Sequence, residues 1–179
     1  LNVGTKESEA TIRKALAIGA DDGIRIDAEA KDAYFVASQI ANVAKEMDYD
    51  IILCGIDSSD YNGSMVGGMV SELLGMTSVS SVSQLGIENE QLVLKREIEG
   101  GKEALIAETP LVAVVQKGIA IEPRIPSMRG IMMARKKPLQ VLQAADADSL
   151  TEIVGFEMPP AKAACKMIDE ENVEELIRL

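Results

Sequence analysis

Val36, Ile40, Val43, Ala44 and Met47 recur at helical spacing, which predicts a helix over 32–47. Ile12, Ala15 and Leu16 repeat the pattern on a smaller scale. They predict a helix capped by Thr5 or Ser8, running to about Ile18 and stopped by Gly19. Residues 23–26 read as a short strand, and 50–55 form a continuous apolar run, the mark of a strand buried on both faces in a parallel sheet. A polar loop and a helix over 64–74, ended by Gly75, come next. The first residues, Leu1-Asn2-Val3-Gly4, read as the end of a strand, so further sequence is expected upstream of them. Strand and helix alternate, which is the pattern of a layered α/β fold.

The pattern then changes. Residues 78–87, 91–99 and 103–109 alternate as strands, the last two joined through Gly100-Gly101 as a hairpin, and 111–115 is another buried strand. Beyond Pro138 the periodicity weakens: 144–151 is small and acidic, and 155–160 reads as extended. Over 169–179, Val173, Leu176 and Ile177 share one helical face, which suits a tail that leaves its own domain and packs on a partner. The expected division is therefore a domain over 1–143 and an arm over 144–179. No internal repeat or low-complexity tract interrupts it.

Composition narrows the function. Hydrophobic residues make up 47% of 179, enough for one domain with a proper core. There is no histidine, which removes the commonest metal ligand and the usual general base. A net charge of −11 and 3% aromatic residues argue against nucleic acid as a partner. Cys54 and Cys165 make no disulfide framework, and a reducing, cytoplasmic setting is expected. No apolar run has the length of a membrane span, and nothing resembles a signal peptide.

Three stretches could carry chemistry. "CGIDSSDYNGSMVGGM", 54–69, is a strand end, a polar loop and a helix start, the place where parallel α/β sheets bind ligands. Free N–H groups at the helix start suit phosphate, Asp60 or Asn62 suits ribose hydroxyls, and Gly63, Gly67 and Gly68 permit close backbone approach. The alternative is an ordinary turn whose glycines serve helix–sheet packing. "KREIEGGKE", 95–103, puts Arg96 and Glu97 on opposite faces of a strand; a solvated hairpin with cross-strand charge pairs is its simplest reading. "IAIEPRIPSMRGIMMARKKP", 119–138, is cationic and punctuated by Pro123, Pro126 and Pro138 in an otherwise acidic chain. It reads either as a loop between core elements, with Ile131, Met132 and Met133 inside, or as a docking surface tipped by Met128.

Together these stretches resemble the electron transfer flavoprotein β subunit. "EPRIPSMRGIMMARKKPLQV" is similar to that family's N-E-P-R segment, leucine-tipped loop and P-N-I-M-K-A-K-K-K run. "KREIEGG" resembles its R-E-I-D/E-G-G hairpin, and "TIRKALAIGAD" its helix-and-glycine element. The resemblance runs from Leu1 to about Leu142 and more weakly into the tail. It implies a three-layer α/β fold of the adenine nucleotide α-hydrolase type, with a mostly parallel sheet, a β-hairpin insertion and an extended C-terminal arm over a partner α subunit. The family's first β–α unit would lie upstream of Leu1.

The resemblance further implies a structural AMP in this subunit and FAD mainly in the α subunit. Members that bifurcate electrons hold a second FAD here instead. Nucleotide contacts carry over onto Val3, Gly4, Gly55, Asp60, Asn62, Gly63, Ser64, Met65, Val66 and Gly67. Partner contacts carry over onto Arg96, Glu97, Arg124, Met128, Ile131 and Met132. Met128 stands where the family's leucine enters a pocket on acyl-CoA dehydrogenases and similar donors; Arg129-Gly130 replaces the common Pro-Asn, and Met133 a frequent lysine. Ser64-Met65-Val66 replaces Asn-Gln-Thr or Ala-Gln-Val, and Asn62 an aspartate. The expected role is an electron carrier subunit, not an enzyme in its own right. It would take electrons from acyl-CoA and related dehydrogenases of fatty acid oxidation to a membrane quinone oxidoreductase, without itself inserting in the membrane. The compartment would be the bacterial cytoplasm or the mitochondrial matrix. Alternatives are a universal-stress-protein-like adenine-nucleotide module, or an ATP-dependent ligase of related topology, which the lack of a phosphate loop disfavours.

Overall fold

The computed structural model describes residues 1–178 except Asp60, Ala163, Lys166 and Glu171, and of Leu176 only the backbone. In chain order the elements are β1 (Asn2–Val3), a 3-10 turn (Lys6–Ser8), α1 (Glu9–Ala17), β2 (Gly23–Asp27), α2 (Ala33–Ala44), β3 (Ile51–Gly55) and α3 (Val66–Leu74). There follow β4 (Thr77–Glu88), β5 (Gln91–Ile98), β6 (Gly101–Ala107), β7 (Leu111–Val115), α4 (Met128–Ala134), β8 (Leu139–Gln143) and α5 (Val173–Arg178). The strands pair in two open sheets. One has the order β1-β2-β8 and is parallel throughout. The other has the order β3-β7-β4-β5-β6, parallel from β3 to β4 and antiparallel from β4 to β6. This is the α/β architecture with mostly parallel pairing that the alternation of elements predicts.

The core of the larger sheet gathers Val79, Val82, Leu94, Leu111 and Ala113, with Ile51, Leu85 and Leu105 packed against them. Burying each valine, leucine or isoleucine side chain contributes about 1.5–3 kcal/mol. β7 lies between β3 and β4, so Leu111, Val112, Ala113 and Val114 are all buried. β3 departs from expectation. Its apolar run forms a parallel strand, but β3 is an edge, and Leu53 is 60% exposed. Sequence shows that a run is apolar; the elements packed on the sheet decide which runs are covered on both faces.

β4 joins the two kinds of pairing. It lies parallel to β7 at Thr77–Val79, bulges where Ser81 takes a φ of 57°, and runs antiparallel to β5 beyond Val82. Asn89 and Glu90 both have positive φ, as a mirrored two-residue hairpin turn requires. Helix boundaries are tighter than the periodicity predicts. α2 stops at Ala44, whose carbonyl accepts from the Tyr49 hydroxyl at 2.7 Å, and Met47 is exposed. Ala15 of α1 is exposed too, leaving Leu16 as that helix's buried residue. Neither expected cap closes α1: the Ser8 hydroxyl donates back to the Thr5 carbonyl at 2.8 Å instead.

Candidate functional site

The loop after β3 stands open to solvent. Asn62 and Ser64 occupy left-handed conformations at φ 47° and 49°, and the Asn62 amide donates to Ser58 O at 2.8 Å. α3 starts at Val66, later than expected, with Met65 at its N-cap and no side chain capping it. Asn62, Gly63, Ser64 and Met65 are exposed, Val66 is half-buried and Gly67 buried. A β-carbon on Gly67 would lie 2.6 Å from Val114 Cγ2, so this glycine serves helix–strand packing. Gly55 and Gly68 face open space. Asp60 lies outside the described residues.

Val3 ends β1, and the amide of Gly4 just beyond it donates to Ile26 O at 3.0 Å. Beneath them Arg25, 4% exposed, ties three elements together. Its Nη1 donates to Gly4 O at 2.9 Å and to Asp27 Oδ1 at 2.5 Å, and its Nε donates to Glu9 Oε1 at 3.2 Å. The bond to Asp27 leads in pushing its pKa above the ordinary arginine value. Asn2 Oδ1 is buried beside Gly4 without a hydrogen-bond donor. A buried acceptor without a donor is uncommon in a folded protein and marks a place where a ligand can supply the missing hydrogen.

The cationic segment is rooted on α1 by reciprocal capping. Arg13 of α1 donates through Nη1 to Ala134 O and Lys137 O, at 2.7 Å each, satisfying carbonyls at the end of α4. Lys137 returns the contact through Nζ to Leu16 O at 3.0 Å and to Ala20 O, at the end of α1. Cations at helix C-termini satisfy free carbonyls and complement the dipole. Gly130 lets the helices touch, since a β-carbon there would lie 2.5 Å from Ala17 O. Arg124 places Nη1 over Gly19, which has a φ of 135°. Part of the positive charge is thus structural, and the apolar groups are not core. Met128 is 76% exposed and Met132 66%; Ile131 and Met133 are exposed as well. Ile121 and Ile125, which periodicity did not single out, are 90% and 88% exposed.

In the hairpin, Arg96 Nε meets Glu103 Oε2 at 2.6 Å across the strands, and Lys102 meets Glu97 at 3.5 Å. These are the cross-strand pairs expected of a solvated hairpin, each contributing about 0–1 kcal/mol.

Past β8 the chain lies along α2. The Gln39 side chain, 1% exposed, exchanges two bonds of 2.8 Å with the backbone of Ala145. Asp32 accepts from Phe35 N at 2.7 Å through Oδ1, and from Leu150 N at 2.6 Å and Thr151 N at 2.8 Å through Oδ2. These bonds, the one from Phe35 foremost, bring its pKa down to about 2. The folded pKa lies below the ordinary value of 3.8, so the stabilisation is complete above the ordinary carboxylate range. It is lost as pH falls through about 2. Shallow hollows of 680 and 290 Å³ flank this stretch, lined by Lys31, Tyr61 and Thr151 and by Tyr34, Lys45 and Asp146 respectively. Among the described residues, none of those expected at the nucleotide lines either one.

A family model for the electron transfer flavoprotein domain matches residues 1–147. The electron transfer flavoprotein subunit beta of Syntrophomonas wolfei is 38% identical over 170 residues, 94% of this chain and 67% of its own length. The subunit of Bacillus subtilis is 32% identical, over 98% of this chain and 72% of its own. That of Sus scrofa is 31% identical, over 99% and 72%. The chain belongs to the electron transfer flavoprotein β-subunit family. Its membership accounts for the pairing of an α/β body with the Glu122–Pro123–Arg124 segment and the Arg96–Glu97 hairpin, all within the matched region.

Among the described residues no cluster of acids and cysteines could hold a metal ion, and no helix is long and apolar enough to cross a membrane. Burial pushes the Cys54 thiol above its ordinary pKa, which disfavours the thiolate form. The sequence reading missed Arg25, Gln39 and the bonds that Asp32 accepts from Leu150 and Thr151. Arg25 and Asp27 share a strand face, and Gln39 interrupts the apolar face of α2; those were the available signals.

Proposed function

We propose that this chain is the β subunit of a heterodimeric electron transfer flavoprotein, carrying electrons from acyl-CoA and related dehydrogenases to a membrane quinone oxidoreductase. The observation that carries this reading is the segment 119–138, anchored on α1 through Arg13 and Lys137 while Ile121, Ile125, Met128 and Met132 stand in water. Anchored roots with an exposed apolar tip suit transient docking, because little order is lost on contact. The body over 1–143 would hold the nucleotide, and 144–179 would reach the α subunit. The tail supports this: Val173 and Ile177 of α5 are 58% and 79% exposed, in need of a covering surface. The side chain of Leu176, expected on the same stripe, lies outside the described residues.

The redox chemistry is that of FAD, mainly in the α subunit. This subunit would hold a structural AMP between the end of β1 and the loop 62–67. Support comes from the orphan Asn2 Oδ1, Gly4 and the open loop before α3. Asn2, Val3 and Gly4 would hold the adenosine part, and the backbone around Ser64 and Met65 the phosphate. A β subunit with its own FAD is the competing reading. Acid extraction of the intact subunit, followed by chromatography and mass measurement, is expected to release AMP at close to one per chain. Stoichiometric FAD would favour the bifurcating reading, and a stable protein free of nucleotide would remove the site altogether.

A further inference from the structure

We propose that Asp32 and Gln39 form a two-point mooring that fixes where the C-terminal arm leaves the body, and so prepare the arm to cover the partner subunit. The second half rests on the reading of 144–179 as the partner-binding arm.

The two anchors differ in chemistry and agree in effect. Gln39 is a primary amide buried in the α2 face, where an unsatisfied polar group is costly. Its donor and its acceptor are both used on one residue of the arm, Ala145. Asp32 divides its carboxylate between two tasks. Oδ1 caps α2 through Phe35 N, while Oδ2 gathers Leu150 N, Thr151 N and the Thr151 hydroxyl at 3.3 Å. Capping α2 needs only one oxygen, so the second is committed to the arm.

The order of the anchors gives the arm a direction. Ala145 meets Gln39 and Leu150 meets Asp32, so the arm runs antiparallel to α2. The helix positions are separated by about 10 Å at 1.5 Å per residue. An arm segment of five residues can span that distance without being drawn to its full length of about 16 Å. The anchored stretch ends at Thr151, and beyond it Val154, Phe156 and Met158 are 99%, 87% and 91% exposed. Apart from Leu150 the moored residues are small or acidic, and most of the large apolar ones follow the last anchor. Fixing the root removes conformations that association with the partner would otherwise have to remove.

The experiment uses the full chain with its flavin-bearing partner subunit. Asp32→Asn keeps an oxygen for Phe35 N, since asparagine caps helices as well as aspartate does. It turns an NH2 donor toward the amides of Leu150 and Thr151. Gln39→Leu fills a similar volume and removes both bonds to Ala145. For Asp32→Asn, amide hydrogen exchange at Leu150 and Thr151 is expected to accelerate at least tenfold, while Phe35 and the rest of α2 keep their protection. Dissociation from the partner subunit is expected to be several-fold tighter in the unchanged chain than in either variant. Unchanged exchange at both amides would overturn the mooring. Faster exchange with unaltered partner affinity would overturn its role in association. Val154→Glu combined with Phe156→Glu separates this from a failure of the parent reading. If that pair leaves affinity intact, the arm does not serve the partner. If the pair weakens binding and the mooring variants do not, only the mooring is wrong.

Discussion

Gly67 and Gly68 adjoin in sequence and differ in what surrounds them. A β-carbon on Gly67 would meet Val114 Cγ2 at 2.6 Å and Cys54 Cβ at 3.2 Å, whereas one on Gly68 would meet nothing within 4 Å. Gly67→Ala is therefore expected to destabilise the protein by about 1–3 kcal/mol through overpacking. Gly68→Ala should stabilise α3 by up to about 1 kcal/mol, because glycine is a poor helix former. Urea denaturation of the two variants checks this, and equal stabilities would remove the packing account of Gly67. The sequence shows a glycine cluster after a buried strand, and both a ligand cradle and a packing notch fit that pattern. The choice at Gly67 depends on Val114, which reaches it only through the parallel pairing of β3 with β7. Asp32 is similar: its place at a helix start was legible, its bonds to Leu150 and Thr151 were not.

At the scale of elements, the contact of α1 with α4 explains why a cationic segment persists in an acidic chain. Each helix ends in free carbonyls, and each receives a cation from the other's neighbourhood, Arg13 in one direction and Lys137 in the other. Lys137→Met should lower stability by about 1 kcal/mol, and Arg13→Met by about 1–2 kcal/mol, since the latter removes two bonds. Thermal melts of both single variants and the double variant check this; losses in the double variant should be less than additive, because both changes loosen one contact. Arg135→Met, at an exposed position, should change stability little and serves as the comparison. Periodicity found the helices and strands because 3.6- and 2-residue repeats are local. The exposure of Leu53 and the mutual capping of α1 and α4 were not legible, since both follow from elements meeting across long stretches of chain.

At the scale of the whole molecule, an acidic body presents, at the segment 119–138, an exposed apolar surface beside cations. Lys137 ties the segment to α1 and Arg124 lies over Gly19, while Met128 projects. Met128→Ala should leave stability nearly unchanged, because a side chain 76% exposed has little burial to lose. In the proposed complex with a donor dehydrogenase the same side chain would be covered. Its truncation should raise the donor dehydrogenase's apparent KM for the flavoprotein about fivefold or more, equivalent to about 1 kcal/mol. Met128→Leu keeps the apolar volume and should preserve transfer. Ile125, held between Pro123 and Pro126 and 88% exposed, gives an independent test, because a docking surface broader than a single anchor predicts a similar rise for Ile125→Ala. Turnover measured against donor concentration, with melting temperatures recorded in parallel, distinguishes the cases. A melting temperature that falls with Met128→Ala would make the residue part of the core. An unchanged KM with every donor would make the segment a linker whose cations serve only to hold α1 and α4 together.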